Sequence, residues 1–387
     1  MKITFTLIAP IAAMLLISCG KKETKTENAN VIKIGSFAAL SGDQAVWGQA
    51  DVNGLKLTID QINKAGGILG KQVELISYDD KGDQLEAVNA VKRLINEDKV
   101  SAIIGCNSSG RNIAVAPVAE TGKVAIISTF ATNPRVTVPE VGKLMTYTFR
   151  VCFIDPYAGD VLAQFAWNDL KAKKAAILYE ISSDYSVGLR DFFKQSWEKF
   201  GGTVSADEAF KTGDVDFRAQ LTKIKESKPD VIVMPILYKE VALAAKQSRD
   251  LGIKAVMLGG DGWPSTALLE MAGSAVEGSY FVNHGDVDAP NVQEFRAAYK
   301  GMFNKELEIN SIMGHDAMIM LKAAIEKAGK ADPIAIRAAL ESTNGLEVFT
   351  GIINVDPATH NPVGKAASII NIKNNKFVFF KQFEPTK

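Results

Sequence analysis

The strongest constraint on the fold is a repeated alternation of short apolar runs with helical patterns. Residues 31–37 have the β-branched composition of a strand, and residues 50–64 place apolar side chains three or four apart, on one face of a helix. Residues 100–105 and 123–128 are almost entirely apolar, as strands buried on both faces must be. Such strands, separated by helices, form parallel sheets covered by helices on both sides. The sequence therefore predicts an α/β fold.

The alternation begins again after a boundary at residues 149–156, which predicts two doubly wound lobes. Residues 291–341 are mostly helical in pattern, and the chain ends in two strand-like runs joined by Asn374 and Asn375. A helical block after the second lobe suggests that the chain crosses back to the first. We expect lobe 1 to contain residues 31–150 and 284–360, and lobe 2 residues 151–283 and 361–387. A hinge of several strands would join them.

The N-terminus has the features of an export signal. Lys2 precedes an apolar run that is too short for a stable membrane span. The run ends at Leu16-Ile17-Ser18-Cys19-Gly20, which resembles the lipobox of bacterial lipoproteins; a plain secretory signal with an incidental cysteine is the alternative. The resemblance implies that residues 1–18 are removed and that Cys19 carries a lipid. Residues 19–30 are polar and predict a flexible tether, which would hold the protein on the membrane, in the periplasm or at the cell surface.

Charge and cysteine content exclude several classes of protein. The chain has 44 basic and 44 acidic residues dispersed along it, so no net field favours nucleic acid. Cys106 and Cys152 are the cysteines that follow Cys19, too few for a disulfide framework. We interpret both as small buried residues, although one bridge between them is formally possible outside the cytosol.

Candidate binding residues lie in four loops that follow predicted strands. Ligands of open α/β sheets bind at the carboxyl ends of the strands. The loops contain residues 40–48, with an aromatic residue beside a glycine, residues 106–110 and 129–134, with hydroxyl groups, and residues 259–263, with one carboxylate among glycines. Residues 106–110 also open a helix, whose free N–H groups suit a carboxylate.

The ordered set of these fragments resembles the periplasmic binding proteins for leucine, isoleucine and valine, which have the type I solute-binding fold. The match covers essentially the whole mature chain, and its most telling fragments include Leu40-Ser41-Gly42, Tyr78-Asp79-Asp80, Ile104-Gly105 with Ser108-Ser109, Pro117-Val118-Ala119-Glu120 and Ile127-Ser128. Each is a common strand end or cap by itself, and their order makes the resemblance specific.

The resemblance implies a role for each candidate residue. Ser108 or Ser109, together with Thr132, would bind the α-carboxylate of an amino acid, and the Phe130 carbonyl and Asp261 its ammonium. Tyr185 and Tyr238 match aromatic positions of the second lobe, and Trp47 matches a tyrosine that lines the side-chain pocket. A zwitterion leaving water needs donors at one end and a negative acceptor at the other.

Ordinary structural roles compete with each of these assignments. Ser108 and Ser109 are also typical helix caps, Asp261 between glycines is a typical turn residue, and Trp47 and Tyr238 are compatible with packed aromatics. The acidic residues at 79, 80 and 83 lack the spacing of a calcium loop, so no metal site is expected.

No sequence feature favours catalysis. The three histidines are scattered, and the motifs of zinc peptidases, serine hydrolases, phosphate loops and dinucleotide sites are missing. A receptor or repressor lobe shares this fold but would need a spanning helix or a DNA-binding helix pair. We therefore expect a monomeric, cofactor-free binding protein that delivers an amino acid to an ABC transporter permease. The resemblance favours a branched-chain amino acid, and an amide, a urea-like compound or an aromatic acid is the alternative ligand.

Overall fold

The computed structural model describes residues 1, 2, 4 and 30–384. Apart from residues 1, 2, 4 and 30, the predicted signal, the lipidated Cys19 and the tether lie outside the described residues. Among the described residues, no helix combines the length and apolarity that a membrane crossing requires.

The first sheet has five parallel strands in the order β2-β1-β3-β4-β5. They are β1 (Val31–Ala38), β2 (Gln72–Asp79), β3 (Ala102–Gly105), β4 (Ile126–Ser128) and β5 (Thr148–Arg150). The helices between them are α1 (Ala45–Lys64), α2 (Gln84–Arg93), which continues as a π-helical turn (Leu94–Asp98), and α3 (Ser109–Gly122), and a 3-10 turn (Pro134–Val136) precedes β5. Every residue of β3 and β4 is buried, as the continuous apolar runs predict.

The second sheet has seven strands in the order β14-β13-β10-β9-β8-β6-β7. They are β6 (Lys174–Glu180), β7 (Thr203–Phe210), β8 (Val231–Met234), β9 (Val256–Gly259), β10 (Tyr280–Asn283), β13 (Ala367–Lys373) and β14 (Lys376–Phe383). The helices are α4 (Asp155–Asn168), α5 (Asp184–Lys199), α6 (Arg218–Ser227), α7 (Tyr238–Asp250) and α8 (Thr266–Ala272), followed by a 3-10 turn (Gly273–Val276). The strands from β10 to β7 are parallel, and β13 and β14 add an antiparallel hairpin.

The late helical block packs on the first sheet. It consists of a 3-10 turn (Pro290–Val292), α9 (Gln293–Phe303), α10 (Ile309–Ala328) and α11 (Pro333–Glu341), followed by a small hairpin of β11 (Leu346–Val348) and β12 (Gly351–Ile353). Its buried residues share one hydrophobic core with β1, β3 and β4. Lobe 1 below denotes the unit around the first sheet, and lobe 2 the unit around the second.

The parallel strands of both lobes are wound in the same order. In lobe 1 the order is β2-β1-β3-β4-β5, and in lobe 2 the corresponding order is β7-β6-β8-β9-β10. This is the flavodoxin-like order, in which the winding direction reverses between the first and third strands. Ligands bind at that reversal, outside the carboxyl ends of the strands. The fold therefore predicts a ligand site at the carboxyl ends of β1 and β3 in lobe 1, and of β6 and β8 in lobe 2.

Several elements differ from the sequence expectations. Helix α1 begins at Ala45 instead of residue 50. Gly48, which was expected in a loop, belongs to the helix. A Cβ on Gly48 would lie 2.0 Å from the carbonyl oxygen of Ala39, the residue after β1, so the glycine allows the first turns of α1 to pack against that segment. Helices α4 and α8 and strands β5, β11 and β12 were not predicted. Cys106 and Cys152 are free and buried.

Candidate functional site

A cavity of about 180 Å³ lies between the two winding reversals. Lobe 1 contributes residues from the segments that follow β1, β2, β3 and β4, and lobe 2 contributes residues at or after the ends of β6, β7, β8 and β9. The lining residues on lobe 1 are Gln44, Trp47, Gly82, Gln84, Asn107, Ser108, Ser109, Gly110, Arg111 and Phe130. Those on lobe 2 are Glu180, Ser182, Ser183, Asp184, Tyr185, Thr212, Leu237, Asp261 and Gly262. The cavity thus has walls from both lobes.

Asp261 provides a buried carboxylate at this cavity. It follows β9, is 1% exposed, and its Oδ2 lies 3.0 Å from Nε2 of His284. Burial lowers the pKa of His284 well below 6.5, so the ring is neutral, and Nε2 must be the donor to an ionised carboxylate. Oδ1 of Asp261 has no hydrogen-bond partner within the described part of the chain. This oxygen is therefore available to a cation.

The surroundings of Asp261 provide little countercharge for its ionised carboxylate. Burial raises the pKa of Asp261 to about 7, and the neighbouring Tyr185 hydroxyl opposes the shift. Gly262 N donates to the Tyr185 hydroxyl oxygen at 3.0 Å. Burial also raises the pKa of Tyr185 well above 10, so its hydroxyl keeps its proton. An ammonium group near Oδ1 would supply the missing countercharge.

The N-terminus of α3 presents donors to the same cavity. Ser108 is the N-cap residue, but its side chain makes no capping hydrogen bond. Ser109 is 2% exposed, and its Oγ accepts a bond from Asn133 N at 3.2 Å. Because the first N–H groups of a helix lack intrahelical partners, this helix end is suited to a carboxylate. The cavity thus contains donors that suit an anion, at the serines and the helix end, and a carboxylate that suits a cation, at Asp261.

A buried polar network forms part of the lobe 1 wall. Arg111 is 1% exposed, and its Nη1 donates to Asp80 Oδ1 at 2.5 Å. Its Nη2 donates to Gln44 Oε1 at 2.9 Å and to Asn107 Oδ1 at 2.8 Å. Charge-assisted bonds of this kind hold the two amides in fixed orientations. The sequence had not singled out Gln44, Asn107 or Arg111.

Two aromatic side chains from opposite lobes, one of which lines the cavity, contact each other. Trp47 is 2% exposed, and its ring centroid lies 5.2 Å from that of Tyr238. The Tyr238 hydroxyl donates to the Asp43 carbonyl at 2.8 Å, across the cleft. Tyr238 therefore acts here as a bridge between the lobes.

The structure gathers six of the eight predicted binding residues around the cavity. These six are Trp47, Ser108, Ser109, Phe130, Tyr185 and Asp261. Thr132 and Tyr238 are not among the lining residues. Thr132 is fully buried; its carbonyl accepts a bond from Asp155 N at 2.9 Å, and its Oγ1 has no partner among residues 30–384. For all eight residues, contact with a ligand stays a prediction.

The sequence contained a signal for some of the site residues that were not predicted, but not for all of them. Asn107 lies inside the predicted loop 106–110, and Gln44 lies inside the predicted loop 40–48. His284 gave no signal, because it meets Asp261 only through the pairing of β9 with β10. Within the described chain, no group of three or more His, Cys, Asp or Glu side chains is arranged to hold a metal ion.

Comparison with known proteins places the chain in a family. A family model described as periplasmic binding protein matches residues 31–376. A Leu/Ile/Val-binding protein, BraC3, from Rhizobium johnstonii is 33% identical over 324 residues, which cover 83% of this chain and 86% of that protein.

Two solved structures are similar over most of their length. A leucine-binding protein, LivK, from Thermotoga maritima has a TM-score of 0.85 and 34% identity, covering 92% of this chain and 99% of the other. The branched-chain amino acid transporter substrate-binding protein LivJ from Streptococcus pneumoniae, in complex with isoleucine, has a TM-score of 0.85 and 31% identity, covering 92% and 100%.

Proposed function

The chain belongs to the type I periplasmic binding protein family, in its Leu/Ile/Val-binding branch, and from this premise we propose that it captures an amino acid between its two lobes and delivers it to an ABC transporter permease. The family consists of substrate-binding components and not of enzymes. Its fold has two α/β lobes, as the sequence predicts.

The observation that carries the proposal is the unpartnered Asp261 oxygen in a cavity that also contains the N-terminus of α3. In this assignment the ligand ammonium binds Asp261 Oδ1 and the Phe130 carbonyl. The α-carboxylate binds Ser108 or Ser109 and the helix N–H groups, with Thr132 as a further donor. Trp47, Tyr185 and Tyr238 enclose the rest of the ligand. Both ends of a zwitterion would thereby recover the hydrogen bonds lost with water.

Closure of the lobes is the proposed mechanism. Periplasmic binding proteins are a standard example of hinge closure around a ligand, so membership of the family supports this type of motion. Contacts to Ser109 and to Asp261 exist together only when the cleft is closed, and the ligand therefore shifts the population toward the closed form. We place the lobe boundaries at residues 31–150 with 284–360 and 151–283 with 361–387; the separate hydrophobic cores support this division.

We also propose an extracytoplasmic location with a lipid anchor on Cys19. The family supports export, and the sequence before Cys19 supports lipidation. Incorporation of labelled fatty acid into the wild-type chain, but not into Cys19→Ala, is the expected result. Equal labelling of both chains would contradict the anchor. The permease and the monomeric state belong to the same proposal.

Branched-chain amino acids are the first ligands to test, because relatives are named for leucine, isoleucine and valine. The Trp47 indole supports a second candidate class, amides, urea-like compounds or aromatic acids, because it fills more of the pocket than a tyrosine.

Titration calorimetry of the purified protein against a panel of these compounds tests the proposal. We expect α-amino acids to bind and their deaminated carboxylates to bind much more weakly. Asp261→Asn keeps the size of the side chain but removes the charge that pairs with the ammonium. Removing one partner of a buried charge pair costs about 2–5 kcal/mol of binding free energy. The affinity for the amino acid should therefore fall at least about 30-fold. Unchanged affinity in Asp261→Asn would show that the ammonium binds elsewhere.

A further inference from the structure

The lobe 1 wall contains hydrogen-bond donors that the zwitterion contacts do not use. Asn107 is 8% exposed, and its Nδ2 has no partner among the described residues. Nε1 of Trp47, a side chain 2% exposed, is also without a partner in that part of the chain. Both residues line the cavity. A buried N–H group without a partner costs about 1–3 kcal/mol, so such groups call for an explanation.

Arg111 fixes which way the neighbouring amides face. A guanidinium group only donates, so the amide atoms that contact Nη2 must be the oxygens of Asn107 and Gln44. The two NH₂ groups are then directed away from Arg111. Asp80 pairs with Arg111 and offsets its charge. The wall consequently offers neutral amide donors to the cavity, and the charge of Arg111, which also lines it, is paired with that of Asp80.

Lobe 2 supplies acceptors to the same cavity. Glu180 is the last residue of β6, lines the cavity and accepts a hydrogen bond from the Thr212 hydroxyl. The hydroxyl groups of Ser182 and Ser183 lie in the same loop and also line the cavity. A ligand group between the two walls would therefore meet donors from lobe 1 and a carboxylate from lobe 2.

We propose that the side chain of the captured amino acid ends in a carboxamide, whose oxygen binds the donors of Asn107 and Trp47 and whose NH₂ group faces the acceptors of lobe 2. The proposal rests on the proposed function for the α-amino and α-carboxylate groups and narrows it for the side chain. Leucine has nearly the shape of asparagine but would leave the Asn107 and Trp47 donors unpaired. A side-chain carboxylate would face Glu180, and a side-chain cation would face donors, so both are disfavoured.

Paired titrations of the full chain with leucine, asparagine and glutamine test this specificity. We expect the better of the two amides to bind about tenfold more tightly than leucine, because a site with buried polar groups disfavours a ligand that cannot satisfy them. Asn107→Leu should reduce that ratio about tenfold and bring leucine to parity or better. In this variant Arg111 keeps Asp80 and Gln44 as partners.

Trp47→Phe provides a second test that keeps an aromatic ring and removes only the Nε1 donor. It should weaken amide binding severalfold more than it weakens leucine binding. Thermal unfolding of both variants checks that they fold. If only one of them folds, that variant is sufficient to compare amide and leucine affinities.

Tighter binding of leucine than of both amides, with a ratio that Asn107→Leu and Trp47→Phe do not change, would overturn the carboxamide proposal and leave the amino-acid function intact. Tighter binding of aspartate than of asparagine would overturn it as well. Binding of no α-amino acid at all would instead refute the proposed function, so the two failures are distinguishable.

Discussion

At the residue scale, the properties of Asp261 follow from what surrounds it. Its two oxygens are not equivalent, because His284 occupies Oδ2 and leaves Oδ1 unpaired in the described chain. The His284 ring is itself held by aromatic contacts, with its centroid 4.4 Å from that of Phe130 and 3.8 Å from that of Phe153. His284 thus orients the carboxylate without neutralising it.

The pKa of Asp261 predicts how binding depends on pH. Because burial raises that pKa to about 7, the carboxyl of the protein without ligand gains a proton as the pH falls through 7. An ammonium ligand binds the ionised form, so binding below this pH must expel a proton. Affinity should therefore be nearly constant above pH 7 and fall by up to tenfold per pH unit below it.

Calorimetry between pH 5 and pH 9, a range of about four units around the shifted pKa, measures this dependence. The neighbouring titratable groups are Asp155, whose pKa burial raises well above 3.8, and the neutral His284. Asp261→Asn is the control, and its weak residual binding should lose most of the pH dependence. An affinity that rises as the pH falls would contradict the role of Asp261.

The sequence predicted much of this site because its residues follow strands directly. Ser108, Ser109 and Asp261 lie within a few positions of strand ends, and the topology brings those ends together. The partners of these residues were not predictable in the same way. Asp80 and Arg111 are 31 residues apart, and Asp261 and His284 are 23 apart, so only the folded chain shows that they meet.

At the scale of elements, buried strands and amphipathic helices were the most predictable parts. The final hairpin, β13 and β14, lies where the residues 366–372 and 376–383 were expected. Helix α4 was missed because it begins inside a Pro-containing boundary that resembled a loop, although proline is well accommodated in the first turn of a helix. Strands β11 and β12 have only three residues each, too few to show a period.

At the scale of the whole molecule, a small set of hydrogen bonds and ion pairs crosses the cleft between the described lobes. Asn133 Nδ2 donates to the Asp184 carbonyl at 2.7 Å, and Tyr238 donates to Asp43 at 2.8 Å. Glu308, at the start of α10, accepts from Thr266 N at 3.2 Å. Each such bond contributes about 0.5–1.5 kcal/mol net, so a small set suits a closure that a ligand can complete and its release can reverse.

Small-angle X-ray scattering, with and without the tightest ligand of the titration panel, tests the central claim most directly. If the two lobes close around one amino acid, saturating ligand should decrease the radius of gyration of the wild-type protein. At the same ligand concentration, Asp261→Asn should keep the radius of the empty protein. Ligand binding without any change in the scattering curve, or equal closure of Asp261→Asn, would contradict lobe closure around the ligand.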